Sequence, residues 1–116
     1  MVRKPAVQLV SREEAGFTVL RLEGRLDTVA TQQFDAWRSG WIASGKRHVI
    51  LDFSSLSYIS SSGLGSILSL IKELSGLGGS LTVAGLSGVV KEVFEISKLD
   101  SVIPISPDVA AAMARS

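Results

Sequence analysis

The spacing of hydrophobic residues changes repeatedly along the chain and predicts alternating strands and helices. Closely spaced apolar residues predict strands at 7–10, 17–23, 49–53, 81–86 and 102–105. The run at 49–53 is apolar on both faces apart from Asp52, which is typical of a strand covered on both sides. The polar segment between the first two strands, 11–16, ends in Gly16 and is predicted to be a hairpin connection.

Between the later strands, apolar residues recur every three or four positions, as they do on one face of an α-helix. The first such face is aromatic, and we assign it to the core rather than to a ligand site: Ala30, Phe34, Trp37 and Trp41. Asp27 or Thr28 is placed to cap that helix. The same spacing predicts helices over 64–74, 89–96 and 109–115, with Ser106 as the cap of the last one.

Strands that alternate with helices imply an α/β fold. We expect a mixed, mostly parallel β-sheet of about four to five strands, packed with about four α-helices and opened by a hairpin. At 116 residues, the chain is long enough for one domain and shows no linker, so 1–116 is predicted to be a single domain.

Composition removes several classes of function. Twelve basic and eleven acidic residues are spread along the chain, for a net charge of +1, so nothing suggests a nucleic-acid partner. The chain has no cysteine and therefore no disulfide. The amino-terminal segment lacks a signal-peptide core, and no apolar run approaches the ~20 residues that a membrane span needs. We therefore expect a cytoplasmic protein without membrane insertion.

The residues offer little catalytic chemistry. His48 is the single histidine, which argues against a metal site. A strand separates His48 from Ser61 by roughly 15–20 Å, too far for nucleophilic catalysis. Dinucleotide, P-loop and nucleophile-elbow motifs are missing from the sequence. We therefore predict neither an enzyme nor a bound cofactor.

Three consecutive serines lie where the strand at 49–53 leads into a glycine-marked helix start: Ser60, Ser61 and Ser62, followed by Gly63. A helix start presents free N–H groups and the positive end of the helix dipole, which favour a phosphate. Ser61 is therefore either a phosphate acceptor or a plain N-cap. The loops 24–28 and 84–88 leave their strands at the same edge, so the three loops should form one face.

Three segments resemble a known family. Residues 21–27, RLEGRLD, are similar to a family pattern R-L-x-G-x-L-D, and residues 93–100, VFEISKLD, are similar to V-F-E-[IL]-[ST]-x-L-D. Residues 49–65 resemble the family's signature stretch, with the pattern D-x-S-x-[VL]-x-[YF]-[IM]-[DS]-S-[SA]-G-L, within a strand–loop–helix unit at 49–75. The chain thus resembles a STAS domain, specifically a bacterial anti-sigma factor antagonist.

The resemblance implies a function in partner switching. In that family, the unphosphorylated antagonist binds an anti-sigma factor, which is a serine kinase with a histidine-kinase-type ATPase fold, and so frees the sigma factor. Phosphorylation ends binding, and a PP2C-type phosphatase restores it. The aligned acceptor is Ser61, with Ser60 as the second choice because well-known members carry Asp there. The implied partner-binding residues are Asp27, Ser60, Ser61, Ser62, Gly63 and Leu64.

Some roles have a purely structural alternative. Asp27 either contacts the partner or caps a helix, and Asp52 either braces the signature loop or closes a turn. Gly63 allows close approach of a partner or of the neighbouring strand, and Leu64 is either an exposed contact or a core residue. The alternative function is a STAS interaction module of another pathway, such as a stressosome-like scaffold, a secretion or biofilm regulator, or a lipid-transport ATPase subunit.

Overall fold

In the computed structural model, which describes residues 7–114, six strands form one mixed sheet and four α-helices pack on it. The elements follow one another as β1 (Val7–Glu14), β2 (Phe17–Leu26), α1 (Thr28–Ala43), β3 (His48–Asp52), β4 (Leu56–Ile59), α2 (Ser61–Gly76), β5 (Ser80–Ala84), α3 (Gly88–Ile96), a 3₁₀ turn (Leu99–Ser101), β6 (Ile105–Ser106) and α4 (Val109–Ala114). The predicted α/β class, the initial hairpin and the number of helices are confirmed.

The sheet order is β1-β2-β3-β5-β6, with β4 pairing separately with β2. β1 is antiparallel to β2, and every other pairing is parallel. β2 is long enough to pair with β3 up to Arg21 and with β4 from Gly24 to Leu26. The end of β2 therefore lies beside the end of β4, and the loop that opens α1 adjoins the loop that opens α2.

Apolar side chains cover both faces of the sheet. The larger cluster joins β2, β3 and β5 to the inner faces of α1, α2 and α3, as shown by Leu20, Leu51, Phe34, Leu70 and Phe94. A smaller cluster places Ala112 of α4 against Val19, Ile50 and Ala84 on the opposite face. The alternation of side chains along each strand accounts for the two layers.

The aromatic face of α1 lies in the core, as predicted. Phe34 and Trp41 are buried, whereas Trp37 is half-buried and stacks on Trp41, with ring centres 5.6 Å apart. Stacked rings at positions 37 and 41 are one helical turn apart, which is the spacing that brings side chains of a helix together.

Two strands, β1 and β4, differ from the sequence-based prediction. β1 runs to Glu14, so the predicted connection 11–16 is wrong and only Ala15 and Gly16 form the turn, both with positive φ (51° and 85°). The polar residues of 11–14 belong to an exposed edge strand, which hydrophobic spacing does not detect. β4 was missed because it has four residues and only its ends, Leu56 and Ile59, are buried.

The carboxyl-terminal boundaries also differ. Of the predicted strand at 102–105, only Ile105 is in a strand, because residues 102–104 form an irregular turn after the 3₁₀ turn and β6 spans Ile105 and the buried Ser106. Since Ser106 belongs to the sheet, it does not cap α4. Asp108 does so, because its Oδ1 accepts the N–H of Ala111 at 2.8 Å. α4 is described to Ala114, and the predicted end of the helix at Arg115 lies outside the described residues.

Candidate functional site

Ser60 is the N-cap of α2, so the structural alternative considered for Ser61, a plain N-cap, is wrong. Ser60 has extended backbone angles (φ −87°, ψ 168°), and its Oγ accepts the N–H of Gly63 at 3.1 Å. β4 ends at Ile59, so the cap falls one residue earlier than the sequence pattern suggests. Ser61 and Ser62 are therefore the first two residues of the helix, and both are exposed.

The start of α2 is fixed to the end of β2 through the backbone. The N–H of Ser60 donates to the carbonyl of Leu26 at 2.9 Å, directly after the pairing of Leu26 with Ile59. Three residues earlier, within β4, Ser57 Oγ donates to the carbonyl of Gly24 at 2.9 Å. These bonds hold the serine segment in one position beside the loop that carries Asp27.

Asp27 caps α1, which confirms its structural role. Its Oδ1 accepts the N–H of Ala30 at 2.8 Å, and its backbone carbonyl accepts the hydroxyl of Thr31, also at 2.8 Å. Because Asp27 follows Leu26 directly, the pairing of β2 with β4 brings this half-buried carboxylate near Ser60. The starts of α1 and α2 therefore lie side by side, and each is capped by its own side chain.

Gly63 is buried where α2 crosses the ends of β2 and β4. A Cβ at this position would lie 2.9 Å from Ile59 Cγ1 and 3.1 Å from Leu26 Cδ2. The close approach expected at Gly63 is therefore made to the neighbouring strands. Leu64 is half-buried against the main apolar cluster, so it belongs largely to the core.

The loop at 84–88, which leads from β5 into α3, lies against the turn between β3 and β4. Asp52 Oδ1 accepts the N–H of Ser54 at 3.0 Å, so Asp52 closes that turn. Gly85 has a φ of +77°, and a Cβ there would lie 3.1 Å from Ser54 Cβ. The start of α3 and residues 54–57 then line a shallow cleft. This edge offers exposed hydroxyls and helix starts, which suit recognition of a surface.

His48 lies at the other end of the sheet, at the start of β3. Its Nδ1 is 2.9 Å from Ser80 Oγ, and its ring packs edge-on against Phe17. His48 and Ser61 therefore lie at opposite ends of the sheet, as expected from the sequence. Across residues 7–114, His, Asp and Glu side chains form no group of three that could hold a metal ion.

Arg25 was not among the site residues predicted from the sequence. The guanidinium of Arg25 lies over the ring of Tyr58, 4.2 Å from its centre, on the strands that lead into the two capped helices. The sequence does contain a hint of this residue. Position 25 is a variable position of the pattern R-L-x-G-x-L-D, and in this chain it carries a positive charge.

The comparisons with known proteins agree with the fold and with the sequence motifs. A model of the STAS domain matches residues 8–112. A putative anti-sigma factor antagonist, BtrV of Bordetella bronchiseptica, is 35% identical over 99 residues, with 85% of each chain covered. An anti-sigma F factor antagonist of Lysinibacillus sphaericus is 33% identical over 94 residues, covering 80% of this chain and 78% of its own.

A solved structure is similar over nearly the whole length. The Bacillus cell fate determinant SpoIIAA, in its phosphorylated form, is 31% identical and covers 95% of this chain and 98% of its own, with a TM-score of 0.72. The chain belongs to the STAS-domain family of anti-sigma factor antagonists. Its relatives are named as antagonists rather than as enzymes, and this confirms a non-enzymatic binding protein. None of the helices within residues 7–114 has the length and apolar character needed to cross a bilayer.

Proposed function

We propose that this protein is a phosphorylation-controlled antagonist of an anti-sigma factor. Without phosphate on Ser61, it binds an anti-sigma factor that is a serine kinase with a histidine-kinase-type ATPase fold, and the sigma factor is released. Phosphate on Ser61 ends binding, and a PP2C-type phosphatase restores it. The observation that carries the proposal is the exposed Ser61 on the first turn of α2, in a chain of this family. We infer a cytoplasmic location, because the proposed partners control a sigma factor.

The surroundings of the serines favour Ser61 over Ser60 as the acceptor. Ser60 Oγ already accepts the Gly63 N–H, and phosphorylation of Ser60 would disturb the cap that starts α2. Ser61 lies outside this hydrogen bond and is open to a kinase. Ser62 is equally exposed, and the family signature separates the two because its aligned acceptor is position 61.

The proposed partner-binding surface follows from the same geometry. It consists of the two adjacent helix starts and includes Asp27, Ser60, Ser61, Ser62, Gly63 and Leu64. Ser61 and Ser62 can touch a partner directly, because both are exposed. In contrast, Asp27, Ser60 and Gly63 support the surface through the caps and the close contact with the strands.

A change of charge at this point explains how a switch would work. A phosphate adds about −1.5 to −2 charges at pH 7. Within the chain, the N–H groups and the dipole of α2 tolerate this charge, so the fold is expected to persist. In a packed interface, the same phosphate must lose water or meet acidic groups, and binding weakens by several kcal/mol. The phosphorylated form solved for SpoIIAA shows that this relative carries a phosphate in a similar fold.

Phosphosite mapping tests the proposal. The purified chain is incubated with the kinase and ATP, and phosphopeptides are identified by mass spectrometry. We expect one phosphate on Ser61 in the wild type and none in Ser61→Ala. Ser69→Ala, at an exposed serine farther along α2, is the matched control that keeps full incorporation. Undiminished phosphorylation of Ser61→Ala would contradict the assignment.

A further inference from the structure

A cation–π pair lies next to the proposed switch. Arg25 on β2 and Tyr58 on β4 are direct partners in the strand register, and the guanidinium carbon is 4.2 Å from the centre of the ring. Arg25 is exposed and Tyr58 is half-buried. A cation within about 6 Å of an aromatic face is attracted to it, so the ring holds the long arginine side chain in place.

The charge of Arg25 is not neutralised within residues 7–114. The other four arginines of this range have oxygen partners: Arg12, Arg21 and Arg38 pair with carboxylates, and Arg47 donates to backbone carbonyls. Glu23, on the same strand face, is paired with Arg21. Asp27 uses Oδ1 to cap α1. Arg25 is therefore an oriented cation whose N–H donors remain available.

The pair lies within reach of a partner on Ser61. Leu26 and Ile59 point towards α2, so their neighbours Arg25 and Tyr58 point to the opposite face of the sheet. There, the main contacts of α4 are with β3, β5 and β6, and Arg25, near the end of β2, is exposed. Three residues along the chain separate Tyr58 from position 61, so their Cα atoms are at most about 10 Å apart. A typical interface of about 800 Å² per partner extends about 16 Å from its centre.

We propose that Arg25, held by Tyr58, binds a carboxylate of the protein partner that docks at the serine-bearing edge. This inference rests on the proposed function and adds the chemistry of the partner, namely an acidic side chain facing β2. A guanidinium can bind a carboxylate through two parallel N–H bonds, and prior orientation reduces the entropy lost on binding. Arginine and tyrosine are also enriched among the residues that dominate binding energy at interfaces.

The same chemistry fits the direction of the switch. A partner with a carboxylate at this edge brings negative charge close to α2. A phosphate on Ser61 would then repel that surface, whereas the unphosphorylated helix start attracts it. Arg25 would therefore attract a partner carboxylate at all times, whereas Ser61 would repel the same partner surface only when it carries a phosphate.

Binding measurements with variants test the proposal. The probe is the purified anti-sigma factor kinase that phosphorylates the wild-type chain, and affinity is measured by isothermal titration calorimetry at 50 mM salt. We expect Arg25→Ala to weaken binding at least tenfold and Arg25→Lys to weaken it less. Arg12→Ala is the matched control, since exposed Arg12 is already paired with Glu14 and lies opposite Val19, away from Arg25, and it should stay within twofold of wild type. Thermal unfolding shows whether each variant is folded.

The outcomes separate the two proposals. Binding of Arg25→Ala within twofold of wild type would overturn the arginine contact. Tight binding of Ser61→Glu together with weak binding of Arg25→Ala would refute the phosphorylation switch and leave the contact intact. A wild-type chain that binds no such kinase would overturn both. A reduced salt dependence in Arg25→Ala would support the contact, because removing a charge pair lowers the electrostatic part of the affinity.

Discussion

Replacing Gly63 by alanine places a methyl group in occupied space. The new Cβ would lie 2.9 Å from Ile59 Cγ1 and 3.1 Å from Leu26 Cδ2. Both side chains are buried, at 5% and 0% exposure, so neither can move into solvent. Forcing an additional methyl group into a packed core costs about 1–3 kcal/mol. The better helix propensity of alanine returns up to about 1 kcal/mol. We therefore expect a net loss of up to about 2 kcal/mol in the free energy of unfolding.

Gly65→Ala is the matched control for this experiment. Gly65 lies in the same helix, and a Cβ there would meet no heavy atom within 4 Å. The control should gain about 0.5–1 kcal/mol from helix propensity alone. Urea unfolding followed by circular dichroism measures both variants, and their difference should be about 2 kcal/mol. If Gly63→Ala proves as stable as Gly65→Ala, the packing of α2 on the strand ends is not as described here.

Two further predictions concern the caps and the hairpin. Ser60→Ala should lower the free energy of unfolding by about 1 kcal/mol, whereas Ser87→Ala should change it little, since Ser87 makes no side-chain cap bond; equal losses in denaturant unfolding would contradict this. Hydrogen bonds from Lys46 and then Thr18 lower the pKa of exposed Glu13 from its ordinary value of 4.5. Because the folded-state pKa is the lower one, the contribution of Glu13 to stability is present above pH 4.5 and lost as the pH falls below it. Glu13→Gln should reduce the acid dependence of unfolding below about pH 4.5, and an unchanged profile would refute the effect.

The features that could be predicted from the sequence are those that depend on neighbouring residues. Apolar residues at helical spacing identify α1, and Asp27 identifies its start because capping needs only a short polar side chain three residues before the N–H it accepts. The parallel sheet followed from the alternation of strands and helices. Both signals are local, and both agree with the final packing.

The features that could not be predicted depend on distant pairing. β4 becomes a strand because it extends the pairing of β2 beyond β3, and its own residues alternate too briefly to indicate this. The end of β4 at Ile59 then places the cap at Ser60 instead of Ser61. The contact between Arg25 and Tyr58 has the same origin, since the register of β2 and β4 creates it.

The central claim is that charge on Ser61 controls binding while the fold stays the same. The most direct measurement compares the affinity of the purified kinase for the chain with and without phosphate on Ser61, alongside the thermal unfolding of both forms. We predict at least a hundredfold weaker binding of the phosphorylated form and nearly identical unfolding temperatures. Equal affinities, or a loss of binding that is accompanied by unfolding, would contradict the claim.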